Sequence, residues 1–164
     1  MALDEIEVEE KARIAGLQSR FQQALRAREA GDVDGAAELL RGVLSVEPRL
    51  AEPRLELSHI LLNTQQIEEA EEQAREAVRI LETGGQWTAD ITADALMSLA
   101  YTTLAEILRH RADSDEIVFG DPAQFETLHS ESRTLFLKAS ALDSSNEHAA
   151  YWGFDERRYR SEEE

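Results

Sequence analysis

Apolar side chains recur at three- and four-residue spacing along nearly the whole chain, the period of helices that bury one face. A first helix is predicted over about 4–30, with Ile14, Leu17, Phe21, Ala24 and Leu25 on one stripe. Gly31-Asp32 ends it and starts a second over about 33–46, whose inward face is Ala36, Leu39, Leu40, Val43 and Leu44. Pro48 then breaks the helix, because proline lacks the amide donor and clashes with the preceding turn. A third helix is predicted over about 53–63, with Leu57, Ile60 and Leu61 inward and Pro53 in a first turn that tolerates it. After the turn "NTQQ", a fourth runs over about 67–82 with Ala70, Ala74, Ala77, Val78 and Leu81 on its buried stripe. Three alanines on one stripe call for closely packed helices.

Gly84 and Gly85 read as helix stops, and Thr88 as the cap of a fifth helix with Asp90 in its first turn, reaching about Arg111. Its inward residues are Leu96, Leu99, Ala100, Thr103, Leu104 and Leu108. Residues 112–122 break the period and read as an acidic loop. A sixth helix is predicted over about 122–142, carrying Phe125, Leu128, Ser132, Leu135, Phe136, Ala139 and Leu142. The turn "DSSNEH" leads to a last short helix and an acidic "SEEE".

The pattern repeats. Ala36 and Ala70 lie 34 residues apart, and Ala24 and Ser58 precede them by 12 each. Small residues therefore recur where the two helices of a hairpin must approach, at the period of tetratricopeptide arrays. At these residues the chain resembles the tetratricopeptide repeat family. A first repeat over 17–50 carries Ala24, Gly31, Ala36, Leu40, Val43 and Pro48 at the matching slots. A second over 51–84 carries Leu57, Ser58, Leu61, Ala70, Ala74 and Ala77, with Glu82 where proline is usual. An irregular third spans about 88–145, with Ala100 in the small slot and Phe136 and Ala139 in the large and alanine slots. Ala100 and Ser132 are 32 residues apart where the regular repeats have 12, so some twenty residues are inserted. A capping helix over about 146–160 would close the array, since the last repeat otherwise exposes an apolar face.

The resemblance implies an all-α, antiparallel helix-hairpin array, an α-solenoid forming one domain over 1–164. It implies a concave groove lined by the first helix of each repeat, a peptide or helix of another protein as partner, and no catalytic activity. The family's groove slots fall on Gln18, Phe21, Leu25, Arg28 and Glu29, then on Glu52, Leu55, His59, Leu62 and Asn63. In the third repeat they fall on Asp94, Met97, Tyr101 and Leu104. The partner-binding set is thus Phe21, Leu25, Arg28, Leu55, His59, Leu62, Asn63, Met97 and Tyr101. Phe21, Leu25 and His59 replace the polar donors by which some relatives grip a terminal carboxylate. The groove reads as apolar with an acidic rim, suited to apolar anchors with basic flanks. Burial of the same residues by the chain's own ends, or by a second copy, is the competing reading.

Charge sharpens the partner class. Formal net charge is −17, from 34 acidic and 17 basic residues. That field repels phosphate backbones and anionic lipid, so nucleic acid and membrane are not expected partners. The 42% hydrophobic content is enough for a packed core. There is no cysteine, the first residues "MALDEIEVEE" are acidic where a signal peptide is basic, and no run approaches the ~18 apolar residues of a membrane span. A cytoplasmic protein is expected, as monomer or homodimer.

Candidate chemistry is sparse. His59, His110, His129 and His148 show no metal-binding spacing. The loop at Asp113 has Ile117 and Val118 where a calcium loop needs oxygen and glycine. No phosphate-binding loop is present, so no metal, cofactor or catalytic residue is expected. Trp152 and Phe154 are read as sealing the end of the array, with a protein contact as the alternative. An adaptor is the leading reading; a small acidic secretion-type chaperone for apolar segments of an export substrate, and a self-associating repeat protein, are the alternatives.

Overall fold

The computed structural model describes residues 2–85 and 91–153. Seven helices, α1 (Ala2–Glu29), α2 (Val33–Val46), α3 (Ala51–Asn63), α4 (Ile67–Glu82), α5 (Ala93–Ala112), α6 (Asp115–Gly120) and α7 (Pro122–Leu142), are followed by α8, which begins at 147 and is described to 153. Among the described residues there is no strand. α1 packs on α2, α3 on α4 and α5 on α7, while α2 with α3 and α4 with α5 join each hairpin to the next. This is an all-α array of stacked helical hairpins.

The small residues sit where the hairpins close. Ala24 is 1% exposed, and Ala36, Ser58 and Ala70 are fully buried. Ser58 satisfies its hydroxyl by donating to the Arg54 carbonyl at 2.8 Å, which lets a polar atom replace alanine there. Ion pairs tie successive hairpins together. Arg28 of α1 meets Glu56 of α3, and Arg41 of α2 meets Glu69 of α4 at 2.5 Å. Such exposed pairs are worth about 0–1 kcal/mol each, so they set the stacking register more than they hold it.

Turn chemistry stops the early helices in one way. Gly31, Gln65 and Gly84 all have positive φ, at 87°, 63° and 74°. The amide after each reaches back to the carbonyl five residues earlier, Asp32 to Ala27 at 2.9 Å, Gln66 to Leu61 at 2.8 Å and Gly85 to Ile80 at 2.7 Å. This closure consumes carbonyls that a helix end leaves unpaired. Gly85 has no room for a side chain, since a Cβ would lie 2.5 Å from the Ile80 carbonyl oxygen.

Several expectations are corrected. Residues 112–122 are not a loop: α6 forms there, with Ile117 buried and Asp115 and Glu116 in its first turn, complementing the helix dipole. Six residues are too few to display a period, which is why the pattern misses it. The acids beside it serve as helix caps: Asp113 ends α5, and the Asp121 carboxylate accepts from the Gln124 amide at 3.0 Å to start α7. Ile14 is 44% exposed, because α1 has 28 residues against the 14 of α2 and its first half runs past its partner. Ile80, not Leu81, fills the buried stripe of α4, and Leu39 and Phe125 are only half-buried. Leu142 is exposed. The cap of α5 is Thr92, which accepts from the Ala95 amide at 3.2 Å; Trp87, Thr88 and Asp90 lie outside the described residues, as do Phe154 and the rest of the predicted end helix.

The third hairpin closes in a shifted register. Ser132 Oγ donates to the Ala105 carbonyl, 27 residues away, at 2.9 Å, and Ser98 Oγ donates to the Ala139 carbonyl at 2.7 Å. Ala100 is fully buried but is not the residue Ser132 meets. Phe136 and Ala139 are buried in this hairpin.

Candidate functional site

The first helices of the three hairpins, α1, α3 and α5, line one face, and three depressions follow one another along it. The first, of about 460 Å³, is lined by Gln18, Phe21, Gln22 and Leu25 of α1, Glu52, Leu55 and Glu56 of α3, Ile91, and Leu96 and Leu99 of α5. The second, of about 400 Å³, lies between α5 and α8, with His59, Thr102, Thr103, Glu106, Asp143, Asn146 and His148 among its lining. The third, of about 480 Å³, takes in Arg28, Glu56, His59, Asn63 and Leu99. Leu99 lines all three, so they are sectors of one groove.

The period of 34 builds the left part of this surface. Gln18 and Glu52, Phe21 and Leu55, Gln22 and Glu56, and Leu25 and His59 are pairs at that spacing, so the same helix face turns inward twice. Phe21 and Leu55 form a floor already packed by the chain, at 8% and 2% exposure. Leu25 and Ile91 are half-buried, and Leu99 is 41% exposed. Leu99 is therefore the apolar side chain most open to a ligand, although its sequence position reads as core.

The polar groups are held by one another. The Thr103 hydroxyl donates to the Leu99 carbonyl at 2.8 Å, so its oxygen is left to accept from His59 Nε2 at 3.2 Å, which places the imidazole proton on Nε2. His148 Nε2 lies 2.6 Å from Glu106 Oε1. Asn146 starts α8: its side-chain oxygen accepts from the Ala149 amide at 3.1 Å, and its amide nitrogen donates to Ser98 Oγ at 3.0 Å and Thr102 Oγ1 at 2.9 Å. One side chain thus caps α8 and docks it on α5. The carboxylates of Glu52, Glu56, Glu106 and Asp143 give the rim its sign.

Of the residues singled out from sequence, Phe21, Leu25 and Leu55 meet in the first depression, and Arg28, His59 and Asn63 in the third. Leu62, Met97 and Tyr101 line none of the three. Leu62 and Met97 are half-buried against the core. Tyr101 turns to α4, where its hydroxyl donates to Glu82 Oε1 at 2.8 Å; burial, with that carboxylate beside it, pushes the phenol pKa up to about 12. In α5 the depressions are lined by Leu96, Leu99, Thr103 and Glu106 in place of the carried-over Met97 and Tyr101. Gln22 and Glu56 were legible as a pair at 34-residue spacing; the α5 set carried no such signal. Among the described residues no group of three or more His, Asp or Glu side chains is placed to hold a metal ion.

Stacked hairpins with a groove along their first helices define a helical-repeat protein. Residues 27–100 match the family model of the tetratricopeptide repeat. No curated protein matches the chain. Among the described residues no helix is long and apolar enough to cross a membrane.

Proposed function

We propose that the chain is a non-catalytic adaptor whose groove holds a peptide or amphipathic helix of another protein, with apolar anchors over Leu99 and basic flanks against the acidic rim. The observation that carries this reading is Leu99 itself. A leucine left 41% open at the junction of three depressions is an apolar contact offered to something outside its own helix pair. The net charge of −17 favours a partner that brings positive charge beside the apolar anchor. The tight packing of Phe21 and Leu55 keeps the floor rigid, which lowers the ordering cost of binding.

The test is capture of binding partners from native lysate by the wild-type chain and by Leu99→Glu. The substitution sits on an exposed site, so helicity measured by circular dichroism stays unchanged. Partner capture falls below detection in the variant if the reading is right. Equal capture by both proteins sinks it.

A further inference from the structure

Away from the groove, we propose that α1 pairs antiparallel with α1 of a second copy of this chain, through the half of the helix that α2 leaves uncovered. Ile6 and Ile14 lie on the same helical face as Leu17, Phe21 and Ala24, which are buried where α1 packs on α2. Past the end of α2 that face is open. Ile6 is 60% exposed and Ile14 44%, and Val46, the last residue of α2, is 43% exposed. Arg13 reaches Glu47, the C-cap of α2, at 3.3 Å, which marks where the cover stops. A stacked array exposes apolar surface at an end without a cap, and the free face of α1 is such an end.

Charge names the occupant. Residues 4–10 hold five acids, Asp4, Glu5, Glu7, Glu9 and Glu10, and no base. The helix dipole accounts for Asp4 and Glu5 alone, since its pull fades within the first turn. Bases follow: Lys11 and Arg13 on α1, and Arg49 just past α2. Among the described residues neither Lys11 nor Arg49 has an ion-pair partner. By helical spacing, one edge of the open face carries Glu7 and Lys11 and the other Glu9 and Arg13. Glu10 lies between them, neutralised by Arg13 at 2.8 Å. Antiparallel pairing about Glu10 lays Ile6 across from Ile14 of the copy. It sets Glu7 against Lys11 on one edge and Glu9 against Arg13 on the other, the positions that fix orientation in paired helices. It also brings the copy's acidic first turn to the end of α2, beside Arg49 and Val46. A parallel pair would put Glu7 beside Glu9 and Lys11 beside Arg13, acid on acid and base on base. Each chain carries −17, but a Debye length of about 8 Å screens all except the contact itself. Residues 2–16 give about 22 Å of paired helix. That is a small interface, so the dimer is reversible.

The test is sedimentation of the full chain at rising concentration, up to ~1 mM, where weak pairings fill. The wild-type mass climbs from 18.4 kDa toward twice that value. Ile6→Glu/Ile14→Glu stays at the monomer mass with unchanged helicity, because both side chains are exposed in the single chain. Two further variants make the edges uniform in sign: Glu7→Lys/Glu9→Lys is all basic there and Lys11→Glu/Arg13→Glu all acidic. Each alone remains monomeric, and an equimolar mixture of the two regains the dimer. The wild-type arm needs no substitution: a constant monomer mass at every concentration overturns the proposal. So does a dimer that survives Ile6→Glu/Ile14→Glu, a mixture that stays monomeric while both variants keep their helicity, or a dimer lost with Leu99→Glu, which would place the contact in the groove.

Discussion

Gln65 occupies the turn position that Gly31 occupies 34 residues earlier, and both have positive φ, 63° against 87°. The same helix stop is built twice, once with a residue suited to it and once without. A side chain in the left-handed region costs roughly 1–2 kcal/mol, because its Cβ crowds the following carbonyl oxygen.

Replacing Gln65 by glycine relieves that cost, less what glycine adds to the entropy of the unfolded chain. Gln65→Gly is expected to raise unfolding free energy by about 0.5–1 kcal/mol, read as a higher urea midpoint at unchanged slope. Gly31→Ala is expected to lower it by a similar amount. A destabilised Gln65→Gly would show that the backbone there is not left-handed.

Asn146 is the next pressure point, since its oxygen caps α8 and its amide docks α8 on Ser98 and Thr102. Asn146→Asp keeps the cap acceptor and removes the donors, facing a carboxylate toward hydroxyls already committed to the Ala139 and Ser98 carbonyls. The expected loss is about 1–3 kcal/mol. Hydrogen exchange should quicken in α8 while α1 to α4 keep their protection. Unchanged exchange in α8 would refute the docking role.

Tyr101 gives stability an alkaline limit. Its folded pKa is raised from 10.0 to about 12 by burial and by the Glu82 carboxylate, so the folded phenol keeps its proton longer than the unfolded one. This contribution is complete below pH 10 and is lost as pH rises through about 12, because the unfolded chain then binds fewer protons than the folded one. Tyr101→Phe should flatten the fall in stability across that window. The same slope in both proteins would mean that other groups carry it.

How much of this was legible depends on where neighbours decide. The first two hairpins are written in local terms: three-four periodicity, alanines and a serine 12 and 34 residues apart, and turn residues at the hairpin ends. Each signal concerns one helix or one adjacent pair, so the chain itself carries it. Ile14 marks the boundary. Its stripe is helical, but whether a partner covers it turns on the unequal lengths of α1 and α2.

By itself, then, the chain determined an all-α hairpin array, its period and the left half of the groove, because helix spacing and close approach of small residues are local consequences of side-chain size. Only the tertiary structure decided the rest. In the third hairpin Ser132 meets Ala105, Tyr101 turns to Glu82 and Leu99 opens onto the groove. Which face of a long helix looks inward is set by the rotation of that helix against its neighbours, and no spacing within α5 encodes it.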